Sequence, residues 1–468
     1  MSPGAVTTSA EAGFRTRLDA CYRTDGGPRV WLGNFEVEQV WARGASSLPR
    51  VSSREGTATV ARLDEFALWM ATSADVVLLT DDTDPEFASY VASITGEAPR
   101  VISLGAAANY GLVSEAALDA ARAGRLPDLP AGAGVVAHGY SRVEREFAVT
   151  AGLGWVAPDV EDVVAVNSKI YSRNLADELG IRQPRGTTCE RLDDWDRACR
   201  FARALLENGP VVVKEEYGVS GKGMAVVDSP ARLDRVAKRI AQAAERNEGR
   251  VGFIVERWVE KDRDFNYQLT IGRDGRIALD FVKQILTRTG VHLGHLIPAD
   301  LSPAQLNEIR RTAERIGARL YRDGYWGVVG IDALTETDGT FHPLIEINAR
   351  CNMSTYQLPA QEAFGDAGDA AFARHYEIRA DRPIPFACVR EALGDLLLVP
   401  GGTRGMVVLN HATVNAAGAV AAEGEPWIGR LYGLLRDRDR TALDELDAEV
   451  ASALAPLSIG AVRAGSTA

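Results

Sequence analysis

Between residues 28 and 140, short β-branched runs alternate with stretches of helical periodicity. The runs are RVWLGN (29–34), DVVLLT (75–80), RVISLG (100–105) and GVVAHG (134–139). Such alternation predicts βαβ units on a parallel sheet. From about 160 the pattern changes. EDVVAVNSKIYSRNLADELG (161–180) predicts helix closed by Gly180, with Asn167 or Ser168 as an N-cap inside it. VVVKEE (211–216), a glycine loop and GMAVVD (223–228) follow, then an amphipathic helix from Ser229 to about Arg246. FIVERWV, FNYQLTI and RIALDFV read as three antiparallel strands, the last two joined at Asp274-Gly275. A helix over about 302–322 begins at Ser302-Pro303, and WGVVGIDALTETDGTFHPLIEINAR (326–350) reads as a hairpin. DRPIP (381–385) predicts an extended linker, followed by a glycine-rich bend, the strand MVVLNHATV and a last helix near 440–455.

Composition narrows the class. At 468 residues with 46% hydrophobic and 25% charged residues, the chain is an ordinary globular protein of about three domains. A formal charge of −12, without a Lys/Arg block, argues against nucleic-acid and anionic-membrane partners, which need a basic face. Five cysteines without C-x-x-C spacing point to a reducing compartment rather than a disulfide framework or a zinc site. The start lacks the apolar core of a signal peptide and no run is long enough to span a bilayer, so a soluble cytoplasmic protein is expected.

Only six of the 52 basic residues are lysines, at 169, 214, 222, 238, 261 and 283. A chain that otherwise uses arginine can reserve lysine for places that need a compact, mobile ammonium. Lys238 and Lys261 read as ordinary solvated charges. The context of the other four is different.

Three segments carry candidate chemistry. In VVVKEEYGVSGKGMAVV (211–227), a strand ends in Lys214 and a loop with Gly218, Ser220, Gly221, Lys222 and Gly223 leads into the next strand. Glycines let backbone N–H groups close on an anion, and Ser220 and Lys222 add donors; a flexible β-turn is the plain alternative. In the 326–350 hairpin, Asp332 lies on the first strand, with Glu346 and Asn348 at i, i+2 on one face of the second. Oxygen donors on otherwise apolar strands are costly unless something is bound, and two carboxylates with an amide suit Mg²⁺. Convergence requires a three-residue loop, Thr337-Asp338-Gly339, with Gly339 left-handed; a two-residue turn at Asp338-Gly339 would point Asp332 away from Glu346. Pro343 removes one ladder donor nearby, so a further irregularity there could change the count. In FIVERWVEKDRDFNYQL (253–269), Glu256 ends one apolar strand and Asp264 begins the next, where a nucleoside could be read; solvated hairpin charges are the alternative.

Taken in this order, the three segments resemble the ATP-grasp superfamily, over about 160–365. The resemblance implies Lys169 and Lys214 on the α- and β-phosphates of ATP and the 218–223 loop as a lid over them. It implies Glu256 and the backbone near Trp258 and Val259 as adenine hinge, Asp264 on the ribose, and Asp332, Glu346 and Asn348 on Mg²⁺, with Mn²⁺ as a substitute. Arg350 in EINAR matches the arginine beside the transferred phosphoryl, and Lys283 a phosphate-facing cation. Arg288, in TRTGVHLGHLIPADL (287–301), is a candidate for the substrate carboxylate. RVWLGNFEVE and GGTRGMVVLNHATVN resemble the flanking domains of the pheganomycin-type peptide ligases.

The implied architecture is an α/β and α+β multidomain chain. A Rossmann-like pre-ATP-grasp domain (1–160) precedes the ATP-grasp domain (161–380) and a small C-terminal domain (381–468), the last offered as substrate-binding. The implied function is an ATP-dependent peptide or amino-acid ligase of natural-product biosynthesis. It would join a small-molecule or peptide carboxylate to an amine through an acyl phosphate, releasing ADP and phosphate. A homodimer is compatible with the resemblance. The competing readings are another ATP-grasp carboxylate ligase, carboxylase-like or of nucleotide biosynthesis, and a non-catalytic ATP-binding regulator. Retention of the expected metal ligands and phosphate lysines favours an enzyme.

Overall fold

The computed structural model describes residues 7–8, 13–22, 26–43, 48, 53–105, 111–218, 223–245, 250–288, 291–365 and 370–459, apart from the side chains of 7, 8, 243, 288, 291 and 292. In chain order the strands are β1 (Thr7–Thr8), β2 (Arg29–Leu32), β3 (Val76–Leu79), β4 (Arg100–Ser103), β5 (Gly134–Ala137), β6 (Gly154–Trp155), β7 (Gly186–Arg191), β8 (Val211–Glu215) and β9 (Met224–Val227). They continue as β10 (Arg250–Arg257), β11 (Lys261–Ile271), β12 (Ile277–Arg288), β13 (Val291–Ile297), β14 (Gly327–Glu336), β15 (Phe341–Asn348), β16 (Ala370–Ala380), β17 (Gly405–Asn410) and β18 (Trp427–Asp437).

Three sheets result. The four runs read from the sequence become β2 to β5 of a parallel five-stranded sheet, ordered β4-β3-β2-β5-β6. The chain steps outward from β2 through β3 and β4, then returns to start β5 on the other side. The crevice beyond the carboxyl ends of β2 and β5 is therefore a topological switch point, where open α/β sheets hold ligands.

The second sheet is antiparallel, β7-β10-β8-β9. With the amphipathic helices Leu192–Leu206 and Pro230–Glu245 it encloses its own small core, in which Trp195, Val211, Val213, Leu233 and Phe253 are buried. Leu48, from the first region of the chain, is buried in that same core.

The third sheet has nine strands along β15-β14-β11-β12-β13-β16-β18-β17, with β1 pairing parallel to β12. One expectation changes here. FIVERWV is not the neighbour of FNYQLTI: it forms β10 in the second sheet, while β11 and β12 pair in the third. A strand's apolar pattern does not say which edge it will join. The segment 381–385 connects two parts of one sheet, since β16, before it, pairs with β18, after it, in register from Ala370↔Asp437 to Ala380↔Trp427.

The helices match their sequence signals closely. Ser302 caps Pro303–Arg322 in a reciprocal capping box with Gln305. Ser168, not Asn167, is the N-cap of Lys169–Leu179, which closes on Gly180 in the left-handed conformation. Among the described residues no helix is long and apolar enough to cross a membrane.

Candidate active site

The site lies where the nine-stranded sheet faces the second sheet and the switch point of the first. Its floor is set by the hairpin β14–β15. Glu336 and Thr340 close a three-residue loop, with Glu336 N–H donating to the Thr340 carbonyl at 2.8 Å and Gly339 at φ +85°. The register then shifts between Asp332 and Leu334, beside Pro343. Leu334 is opposite His342, whereas Asp332 is opposite Glu346 and Gly330 opposite Asn348. A shift of two residues keeps side chains on the same face, so Asp332 and Glu346 stand side by side.

Burial first, and the Glu346 carboxylate second, push the Asp332 carboxyl up to about 6, against Asn266 and Arg350, which pull it down. Asn266 Nδ2 donates to Asp332 Oδ1 at 2.8 Å. The only cation bonded directly to this carboxylate pair among the described residues is Lys169, whose Nζ lies 2.8 Å from Glu346 Oε1. Hard oxygen donors in mutual repulsion fit a divalent cation such as Mg²⁺. Asn348 is turned differently: Nδ2 faces Asp332 Oδ2 at 3.5 Å while Oδ1 accepts from Arg350 Nη2 at 3.2 Å. As a third ligand its amide would have to present the oxygen instead.

Lys169 is the first residue of its helix, where the macrodipole disfavours a cation, so its position needs an anionic partner. Its Nζ also donates to the Gly218 carbonyl at 2.7 Å, which joins the helix to the chain just after β8. Ser168 Oγ donates to Glu216 Oε1 at 2.8 Å and fixes the same junction. Lys214, on β8, makes a 2.6 Å pair with Glu256 Oε2. Burial lowers its pKa, but Glu256 and, more weakly, Glu346 more than offset this and hold it above the ordinary lysine value. Lys169, Lys214 and the carboxylate pair thus share one electrostatic environment. Gly223 has φ +82°, and a Cβ there would lie 2.4 Å from Glu215 Oε2, so the residue that leads into β9 must be a glycine. Ser220, Gly221 and Lys222 lie outside the described residues.

The residues expected at the adenine hinge lie in different surroundings. Glu256 is buried and engaged by Lys214 and, at 3.5 Å, by Arg173 Nη1. Trp258 is half exposed, but its N–H is already donated to the Pro210 carbonyl at 2.9 Å. That leaves Val259, a buried residue, as the other backbone position of the pair. Asp264 is paired to Lys261 Nζ at 2.5 Å rather than lying free.

Lys283 is not an open phosphate-facing cation. It is fully buried, with Nζ donating to Gln357 Oε1 at 2.8 Å and to the Ser354 carbonyl at 3.1 Å. Burial without a counter-charge lowers its pKa well below the ordinary value. It sits opposite Asn266, in the cross-strand row that continues to Asp332 and Glu346, and it anchors the 354–357 turn over that row. Arg288 ends β12, and its side chain lies outside the described residues.

Arg350 follows β15. Asn167 brackets Ala349 through both backbone groups, at 2.9 and 3.1 Å, and Cys351 N–H donates to the His138 carbonyl at 2.9 Å. Arg350 Nη1 donates to the Cys351 carbonyl at 2.9 Å, and Nη2 contacts Glu38 Oε1. Asn266 and Glu38 are the residues sequence reasoning passed over. Asn266 stands in a row with Gln268 and Thr270, the polar positions of an alternating strand, and that pattern alone does not single it out. Glu38 carried no local signal linking it to Arg350.

This arrangement of carboxylate hairpin, two lysines and a glycine loop between antiparallel strands defines a nucleotide-binding domain of the ATP-grasp type. Residues 168–357 match the family model "Carbamoyl-phosphate synthase L chain, ATP binding domain", and residues 64–153 match "Pre ATP-grasp domain". The matched segments are thus an ATP-grasp nucleotide-binding domain and, ahead of it, a pre-ATP-grasp domain. It is 30% identical over 206 residues to a [butirosin acyl-carrier protein]–L-glutamate ligase of Niallia circulans, covering 44% of this chain and 48% of that one. It is 27% identical over 219 residues to the alpha3 subunit of a biotin-dependent acyl-coenzyme A carboxylase of Mycobacterium leprae, covering 46% of this chain and 35% of that one. The chain thus spans about half, or less, of the length of these relatives. Among solved structures it resembles the biotin carboxylase–βγ-ATP complex from Campylobacter jejuni, with TM-score 0.53 and 14% identity over 84% of this chain and 88% of that one. That likeness concerns the fold.

Proposed function

We propose that the chain is an ATP-dependent ligase that joins a carboxylate to an amine through an acyl phosphate and releases ADP and phosphate. The observation that carries this reading is the Asp332–Glu346 pair, held side by side across β14 and β15 with Lys169 bonded to one of them. When bound, Mg·ATP supplies the γ-phosphoryl group that activates the acid. Lys169 and Lys214 exchange their carboxylate partners for phosphate oxygens, a charge-assisted contact of similar strength. Asp332 and Glu346 hold the metal, with Asn348 beside them. Glu256, Val259 and Asp264 take the nucleoside. Arg350 faces the transferred group, where a fixed guanidinium offsets charge on its oxygens.

The 30% likeness to a ligase that uses L-glutamate supports an amide-forming reaction, and an amino-acid or peptide substrate in natural-product biosynthesis. The resemblance of residues 29–38 and 401–415 to pheganomycin-type ligases points the same way. We place the chemistry in the cytoplasm, where ATP is available, and take the 1–160, 161–380 and 381–468 segments as its functional units.

The test is incubation with ATP, Mg²⁺ and a panel of amino acids and peptides, with nucleotides separated by chromatography. ADP formed only when both an acid and an amine are present supports the reading. Stoichiometric AMP and pyrophosphate overturn it, and ADP formed with bicarbonate alone replaces it with a carboxylase-like activity.

A further inference from the structure

Glu38 lies in NFEVEQVW, just past the carboxyl end of β2 and at the switch point of the parallel sheet. The chain is forced into place there, since Glu36 is the one described non-glycine residue with positive φ, at +61°. Glu38 is 6% exposed, and both its carboxylate oxygens are sealed from solvent without a well-aligned hydrogen bond among the described residues. A buried carboxylate in that condition is costly and persists only against a cation. The cation is Arg350, whose Nη2 contacts Glu38 Oε1.

The same Nη2 donates to Asn348 Oδ1, whose amide faces Asp332. Close packing completes the clamp: a Cβ on Gly139, at the end of β5, would lie 2.6 Å from Val37 Cγ1 and 3.5 Å from Arg350 Cβ. Asn167 and the His138 carbonyl hold the backbone of Ala349 and Cys351, on either side of Arg350, and neither is bonded to its guanidinium. His138 cannot supply charge, because it is fully buried and kept neutral, with its Nδ1 on Tyr356 Oη at 3.1 Å.

We propose that Glu38 is the positioning residue for Arg350: a carboxylate of the first domain aims the guanidinium of the ATP-grasp domain at the transferred phosphoryl. Glu38 touches no reacting atom. Its effect on rate rests on the ligase reading; its hold on Arg350 does not.

The experiment uses Glu38→Gln and Glu38→Asp in the full chain. Misplacing a reacting group by about 1 Å costs about 10²-fold in rate, and E38Q is expected to lose about that much in kcat. Its affinity for Mg·ATP by calorimetry stays within about twofold, because the phosphate lysines are untouched. E38D, which keeps the charge on a shorter arm, recovers part of the loss. In a crystal structure of E38Q, Arg350 leaves Asn348. A kcat within twofold of wild type, or ATP affinity falling in step with kcat, overturns the proposal. If wild type shows no ligase activity, the functional reading fails by itself, and the E38Q structure still decides: Arg350 unmoved overturns the pairing. If E38Q does not fold, E38D decides, a reduced kcat at the wild-type melting temperature supporting the proposal and an unchanged kcat refuting it.

Discussion

Asp332 and Glu346 face each other across β14 and β15 even though, two residues nearer the turn on β14 and four on β15, the same strands pair in a register two positions different. The loop residue Gly339 and the irregularity beside Pro343 together produce that juxtaposition. Neither strand would tolerate it without a purpose, since two carboxylates brought together out of water repel each other.

Asp332→Asn and Glu346→Gln are each expected to abolish the Mg²⁺-dependent part of the thermal stabilisation given by ATP. Turnover falls by about 10²–10³, the usual effect of removing one transition-state charge partner. Differential scanning fluorimetry with and without Mg²⁺ separates the metal effect from nucleotide binding. Undiminished metal-dependent stabilisation in both variants would rule out these ligands.

Lys169→Ala and Lys214→Ala each lower turnover by about 10²–10³ as well, equivalent to ~3–4 kcal/mol of barrier. Their stabilities separate them. Lys169 leaves behind Glu346, whose side chain keeps 24% of its exposure, whereas Lys214 leaves Glu256, at 5%. Loss of one partner of a buried pair is the more damaging case, so K214A melts at a lower temperature than K169A. Equal melting temperatures would show that Arg173, 3.5 Å from Glu256, compensates fully.

Asp64 gives a pH prediction outside the site. It is fully buried under the end of β3, where it accepts from Thr80 N–H at 2.5 Å, and burial raises its carboxyl to about 6 from 3.8. A carboxyl whose pKa is higher in the folded chain binds more protons when folded than when unfolded. Its contribution to stability therefore falls as pH rises from about 4 to about 6, by on the order of 3 kcal/mol. Asp64→Asn keeps the acceptor and removes the charge. Denaturant titrations of the variant at pH 4.5 and 7 are expected to lack this component, and an unchanged pH slope would refute the assignment.

Gly339→Ala tests the hairpin directly. The position has φ +85° and nothing within 4 Å of an added Cβ, so the effect is backbone strain alone. The cost is about 1–2 kcal/mol, read as a lowered unfolding midpoint, and Gly339→Asn costs less. An unaffected midpoint for G339A would mean that the loop does not need the left-handed conformation in solution.

Much of this was legible in the sequence because it depends on local chemistry. Periodicity located β2 to β5, Ser302-Pro303 and Gly180 marked helix ends, and the loop length at Gly339 set which face Asp332 uses. The motif order was enough to reach the ATP-grasp superfamily, whose ATP-binding family model matches residues 168–357. Partner choice over long separations was not legible. β10 joined the second sheet, between β7 and β8, and β16 to β18 completed the sheet of β11 to β15. Lys283 looked like a free cation in one dimension, and only the turn folding over it shows that its ammonium is enclosed by Gln357 and Ser354. Glu38 and Arg350 are separated by more than half of the chain, and no spacing rule connects them. Their pairing follows from packing one sheet's switch point against another's edge, where a buried charge has to find its counter-charge among whatever residues the tertiary fold brings within reach.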